Sequence, residues 1–77
     1  MRLVEAISKR VAILLDERGI KAYQLYKNGG VPRSTVSDVL LVKKKKVSTD
    51  TVYQICDTLG ISLKEFFDDP VFDEVND

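Results

Sequence analysis

The sequence of 77 residues contains no histidine, no tryptophan and only one cysteine. Without histidine, no imidazole can serve as a general base, activate a serine or cysteine nucleophile, or bind a metal ion. A single cysteine cannot close an internal disulfide, and zinc sites commonly need several cysteine or histidine ligands. We therefore expect neither catalysis nor a bound metal or cofactor.

Long apolar segments are missing as well. No stretch reaches the roughly 20 apolar residues of a membrane-spanning helix, and the N-terminal residues lack the continuous apolar segment of a signal peptide. The length suits one small domain, because compact domains commonly run from about 50 to 200 residues. These features predict a cytoplasmic domain that makes no contact with a membrane.

The charges balance in number but are separated along the chain. Basic and acidic side chains each total 12, so the formal net charge is zero. Residues 1–46 carry eleven basic and four acidic side chains, a balance of +7, whereas residues 47–77 carry one basic and eight acidic ones, a balance of −7. Such asymmetry is typical of a nucleic-acid or membrane surface followed by an acidic segment, and a solvated surface gives the same pattern.

Apolar residues recur at helical spacing and no alternating strand pattern stands out, which predicts an all-α fold, a compact bundle of five short helices. Gly19 and Gly60 follow apolar helical segments at positions that suit a left-handed C-terminal cap. Pro32 suits the first turn of a third helix over residues 33–41, because its missing N–H would be unpaired there. Fourth and fifth helices are indicated by capping residues, namely Ser48 or Thr49 for the fourth and the Ser62–Glu65 capping box for the fifth.

The end of the chain is acidic. Pro70 is expected to stop the fifth helix, and the apolar-acidic segment 71–75 then docks on the core, pairs with a partner or frays. We therefore divide the chain into a domain over residues 1–67 and an acidic C-terminal tail over residues 68–77. The aromatic and apolar residues near this junction are candidate dimer contacts, namely Phe66, Phe67, Val71 and Phe72.

The segment from Ala22 to Leu40 has the spacing of a helix-turn-helix. Two short helices are joined by a turn that contains Gly30, and Leu25 and Val36 are placed to pack them together. The outer face of the second helix is then free to enter a major groove. That face carries short or hydrogen-bonding side chains, namely Arg33, Ser34, Ser37 and Asp38, with Thr35 at its flank.

The chain resembles the Xre-type, phage-repressor-like helix-turn-helix regulators from about Val11 to Phe67. The sequence GIKAYQLY at 19–26 is similar to that family's second helix, and GVPRSTVS at 30–37 is similar to its turn and recognition helix. Residues 52–67 look like its closing two helices. The resemblance implies a lambda-repressor-like DNA-binding domain, and hence a sequence-specific transcriptional regulator, expected to be a homodimeric repressor that inserts the helix over 33–41 into the major groove of double-stranded DNA.

The resemblance also implies roles for individual residues. Side chains at base-edge positions of the recognition helix are Arg33, Ser34, Ser37 and Asp38. Side chains at phosphate-contacting positions are Thr35, Lys43, Lys44, Lys45 and Lys46. The chemistry agrees, because arginine can bond guanine bidentately, hydroxyls serve several bases and a carboxylate can accept from cytosine N4. The lysine run, residues 43–46, is also consistent with an ordinary solvated loop.

The chain departs from the family pattern at three places, and two of them, Tyr26 and Leu41-Val42, favour a second hypothesis together with the acidic C-terminal third. Ala22 stands where the family often has glutamine, Tyr26 where it prefers a small residue, and Leu41-Val42 where it commonly has a polar residue and glycine. Exposed apolar residues after the recognition helix would suit a protein partner better than a phosphate backbone. The alternative is therefore a protein-interaction module on the same scaffold, antitoxin-like or a phage-encoded adaptor, that binds a partner through the acidic C-terminal segment.

Overall fold

The computed structural model describes residues 1–76, and every regular element in that range is helical. The α-helices are α1 Leu3–Arg18, α2 Tyr23–Lys27, α3 Arg33–Leu40, α4 Thr49–Leu59 and α5 Leu63–Phe67, and a 3₁₀ helix follows at Pro70–Glu74. The predicted all-α bundle of five short helices is confirmed. The third helix ends one residue earlier than predicted, at Leu40, and Leu41 is its C-cap.

The helix ends follow from local sequence. Gly19 and Gly60 adopt left-handed conformations with φ of 64° and 73°, which a residue with a Cβ rarely adopts, and they end α1 and α4. The Ser48 hydroxyl accepts a hydrogen bond from the third backbone N–H of α4. Ser62 and Glu65 form the predicted capping box, in which each side chain accepts from the other residue's backbone N–H.

One apolar core unites the helices. Its buried members come from all five: Ile7, Val11, Leu14, Leu15, Leu25, Val36, Val39, Val52, Ile55, Cys56, Leu59 and Phe66, together with Val31 from the turn before α3. Cys56 lies on the inward stripe of α4, and burial raises the pKa of its thiol. A protonated, buried thiol packs as a small hydrophobe.

Arg10 is a buried cation that fastens α1 to the C-terminal part of the fold. Its guanidinium donates to the backbone oxygens of Phe66 at 2.7 Å and Glu65 at 2.8 Å, and it pairs with the Asp69 carboxylate at 3.1 Å. These carbonyls lie at the end of α5, where the helix dipole favours a positive charge. The Glu65 carbonyl also accepts from the backbone N–H of Asp68 at 3.3 Å. One of the eleven basic residues of segment 1–46 is thus neutralised inside the protein.

The segment after α5 docks on α1. Val71 of the 3₁₀ helix is buried, and the backbone N–H of Asn76 donates to the Met1 carbonyl at 3.1 Å. Of the three alternatives for segment 71–75, namely docking on the core, pairing with a partner and fraying, the structure adopts docking. The last residue of the predicted tail, Asp77, lies outside the described residues. The suggestion that Phe66 and Val71 form dimer contacts is wrong, because both side chains are buried within one chain.

Gly29 in the turn after α2 is required by close packing against α4. A Cβ on this glycine would overlap the Thr58 hydroxyl, lie 2.6 Å from the Thr58 methyl carbon and lie 2.8 Å from the Leu25 carbonyl oxygen. Gly29→Ala is therefore expected to lower the free energy of unfolding by about 1–3 kcal/mol, the usual cost of overpacking. Urea denaturation followed by circular dichroism measures this change.

The adjacent Gly30 provides a matched control. A Cβ added there meets no atom within 4 Å, so Gly30→Ala should change stability by no more than about 0.5 kcal/mol. The double variant Gly29→Ala, Thr58→Ala should recover part of the loss, because it removes the nearest obstructing atoms. Equal effects of the two glycine substitutions would contradict the packing explanation.

Candidate nucleic-acid interface

Helices α2 and α3 and the turn between them form the predicted helix-turn-helix unit. Leu25 of α2, Val31 of the turn and Val36 of α3 are all buried and join the two helices to the core. Pro32 is the N-cap of α3, with φ of −59°, so α3 starts where the sequence places it. The unit is therefore held from one side only, and the outer face of α3 faces solvent.

The accessible face of α3 carries every residue predicted to contact base edges. Arg33 and Ser34 are exposed, and Ser37 and Asp38 are half-buried, whereas Val36 and Val39 point into the core. The short polar side chains of Ser34, Ser37 and Asp38 let the helix backbone approach another surface closely. Arg33 borders the groove between α2 and α3, whereas Asp38 borders the depression between α3 and α4, so the opposite charges lie on the two flanks of the accessible face.

A shallow depression on one flank of α3 brings several predicted site residues together. It lies between α3, the start of α4 and the lysine run, and it is lined by Thr35, Asp38, Lys44 and Lys46 together with Ser48 and Thr51. The structure thus places the predicted phosphate-contacting Thr35 beside two of the predicted lysines. Asp38 shares the depression, so its carboxylate moderates the positive potential there.

The lysine run extends from the end of α3 toward the start of α1. Lys45 and Lys46 border a second hollow whose other walls are Leu3, Val4 and Ile7 of α1. All four lysines of the run are exposed, and within residues 1–76 no acidic side chain forms an ion pair with any of them. Their ammonium groups are therefore available to an external anion.

The turn between α3 and the lysine run has a conformation that usually requires glycine. Val42 has φ of 52°, the backbone N–H of Lys43 donates to the Asp38 carbonyl at 2.9 Å, and that of Val42 donates to the Val39 carbonyl at 3.3 Å. This is the Schellman pattern, with a β-branched residue at the left-handed position. Such backbone strain costs about 1–3 kcal/mol and fixes the direction in which the lysine run leaves α3.

The groove between α2 and α3 contains an aromatic contact that sequence reasoning missed. The guanidinium carbon of Arg33 lies 5.9 Å from the centre of the Tyr26 ring, and the Lys27 ammonium lies 5.8 Å from the centre of the Tyr23 ring. The sequence marks Tyr26 as a departure from the small residue that the family prefers and does not indicate its contact with Arg33. Residues 26 and 33 lie on opposite sides of the turn, so no helical spacing in the sequence indicates that they meet.

Leu41 is the most exposed large hydrophobic side chain among residues 1–76, at 65 %. It borders the same groove as Tyr23 and Tyr26, immediately beyond the last turn of α3. An apolar side chain at this position can contact a thymine methyl group or a protein surface. Helical spacing predicts Leu41 on the side of α3 opposite its apolar face, and its exposure confirms that placement.

Comparison with known proteins gives one match. A family model described as a Cro/C1-type HTH DNA-binding domain matches residues 10–71, a span that includes α2 to α5 and most of α1. No curated protein and no solved structure matches the chain. Among residues 1–76, none of the helices has the length and apolar character needed to cross a membrane.

Proposed function

The chain belongs to the Cro/C1-type helix-turn-helix DNA-binding family, and we propose that it is a sequence-specific transcriptional repressor rather than an enzyme. It acts in the cytoplasm as a homodimer and inserts α3 into the major groove of its operator. The observation that carries this proposal is the solvent-facing side of α3, which presents Arg33, Ser34, Ser37 and Asp38. It is flanked by four exposed lysines that form no ion pair within residues 1–76.

The base-reading roles follow from the chemistry of each side chain. Arg33 donates two hydrogen bonds to O6 and N7 of a guanine, the commonest specific contact in the major groove. The hydroxyls of Ser34 and Ser37 donate or accept according to the base they meet. Asp38 accepts from cytosine N4, and because its charge repels phosphate it also disfavours a shifted register.

Backbone contacts fix the position of α3 in the groove. Thr35 and the lysine run bind phosphates on the strand beside α3, and these contacts carry orientation rather than sequence information. The acidic segment 68–77 opposes indiscriminate binding through its longer-range repulsion of DNA. In this division of roles, residues 1–67 form the DNA-binding domain and residues 68–77 tune its affinity.

A selection experiment tests the proposal. A pool of random duplexes is selected on the protein, and the enriched duplex is compared with a scrambled one by fluorescence anisotropy at a fixed salt concentration. We expect a specificity ratio of about 10³ or more and two related half-sites about 34 Å apart, or a multiple of that spacing. Absence of an enriched sequence, or of any duplex binding at low salt, would overturn the proposed function.

A further inference from the structure

Arg33 is exposed, and its guanidinium lies over the ring of Tyr26. Within residues 1–76, its guanidinium makes no hydrogen bond and no ion pair. Its contact is with the face of Tyr26, at 5.9 Å from the ring centre. A guanidinium above an aromatic ring at this distance is attracted by the ring quadrupole, and arginine makes such contacts more often than lysine does.

Tyr26 is a fixed platform for this contact. Its side chain is half-buried and packs against the core cluster, so the ring cannot swing away from α3 without disturbing the interior. Ala22, the N-cap of α2, borders the same groove, and its small side chain leaves room beside the ring. Packing against the core therefore fixes the Tyr26 ring, and the contact with that ring is what restricts the Arg33 side chain.

The ring contact and base recognition make different demands on the guanidinium. The ring attracts the positive charge of the group, whereas a base edge is bound by the N–H donors that point outward in the guanidinium plane. One guanidinium can therefore rest on Tyr26 and still offer two parallel N–H groups to a base edge. An arginine that is already oriented also loses less side-chain freedom when it binds.

We infer that Tyr26 is a positioning residue that orients Arg33 to read one guanine in each half-site. This inference rests on the proposed function, since it names the base that the α3 surface selects. Tyr26 itself touches no base; it acts through Arg33. Its contribution is therefore confined to one base pair of the operator, whereas a residue that only supports the fold would affect every sequence alike.

The chain supplies a matched comparison one turn away. Tyr23 lies on the same short helix and carries a similar contact, with the Lys27 ammonium at 5.8 Å from its ring centre. Lysine has a single compact ammonium and no planar fork, so this pair cannot present two parallel donors to guanine. Tyr23→Leu should therefore leave base discrimination unchanged, although it removes an aromatic ring from the same groove.

The test measures binding to the selected duplex and to duplexes changed at one base pair at a time. Tyr26→Leu, which keeps apolar bulk but removes the ring, should lose about two- to fivefold discrimination at one guanine and little elsewhere. Tyr26→Phe should retain the discrimination. In an Arg33→Ala background, Tyr26→Leu should cause no further loss of discrimination at that guanine, because the guanidinium that Tyr26 positions is absent. A uniform loss across all duplexes, or no loss at any guanine, would overturn the inference.

A second readout needs no DNA. Nuclear magnetic resonance relaxation of the Arg33 Nε–H group in the free protein reports how restricted the side chain is, and Tyr26→Leu should make it more mobile while circular dichroism shows an intact fold. An unchanged mobility would refute the positioning role even if the protein binds DNA specifically. Conversely, if the mobility changes as expected but no duplex is selected, the proposed function fails while the Tyr26–Arg33 contact stands.

Discussion

Replacing Arg10 with methionine is expected to remove about 3 kcal/mol of stability, a large part of the roughly 4–12 kcal/mol typical of a domain this size. Methionine preserves much of the apolar stem that packs in the core. The loss arises because the Phe66 carbonyl loses its donor and the Asp69 carboxylate loses its positive partner. The Glu65 carbonyl keeps only the bond from the Asp68 N–H at 3.3 Å. The Asp69 side chain is 20 % exposed, so water relieves part of its penalty and the lower end of the range for broken buried pairs applies.

Urea denaturation followed by circular dichroism measures the effect, and two variants test its cause. Lys9→Met removes a neighbouring but exposed positive charge and should change stability by no more than about 0.5 kcal/mol. The double variant Arg10→Met, Asp69→Asn should lose less free energy of unfolding than the two single variants lose together, because it leaves no carboxylate without its positive partner. The asparagine amide oxygen can still accept from the backbone N–H of Val71. A loss for Lys9→Met as large as that for Arg10→Met would contradict a specific role for the buried guanidinium.

The features of the fold that the sequence predicted depend on neighbouring residues. Gly19, Gly60 and the Ser62–Glu65 capping box act within one turn of the chain, so their positions alone mark helix ends. The spacing of Leu25 and Val36 likewise predicted which side of α3 is buried. Local chemistry decides these features, and the sequence displays local chemistry directly.

The features that the sequence did not predict join residues that are far apart or depend on direction. Arg10 was counted with the surface charges because its partners lie 55 to 59 residues away. Val42 takes a conformation that glycine favours, and no propensity rule assigns it to valine. The Tyr26–Arg33 contact requires the angle between two helices to be known. In each case the missing information is the tertiary arrangement.

The same distinction applies to the candidate interface. The identities of Arg33, Ser34, Ser37 and Asp38 could be predicted because a helical pattern separates the outer face of α3 from its buried face. Their roles toward DNA remain predictions, as does that of the lysine run. The exposure of the four lysines and their lack of ion pairs within residues 1–76 supply what the sequence could not, namely that their charge is available.

Replacing all four residues of the lysine run with glutamine is expected to weaken DNA binding by about 10³-fold per subunit at 0.15 M salt. If each lysine neutralises one phosphate, the four lysines contribute about −3.6 per subunit to the slope of log K against log salt, because each contact releases counterions from the DNA. The variant loses this contribution, so its slope should be correspondingly shallower. Because phosphate contacts carry no sequence information, affinity for selected and scrambled duplexes should fall by similar factors. The exposed lysines contribute little to the fold, so stability should be nearly unchanged.

Salt titrations of both proteins with the same duplexes measure this difference directly. Replacing Arg18 and Lys64 with glutamine, at the end of α1 and in α5, removes exposed positive charge away from the lysine run and should alter the slope far less. An unchanged slope in the fourfold variant would mean that the run is a solvated loop and that other groups hold the DNA backbone. A reduced slope with intact discrimination would separate the two parts of recognition, since the lysines would then supply affinity while the accessible face of α3 supplies sequence choice.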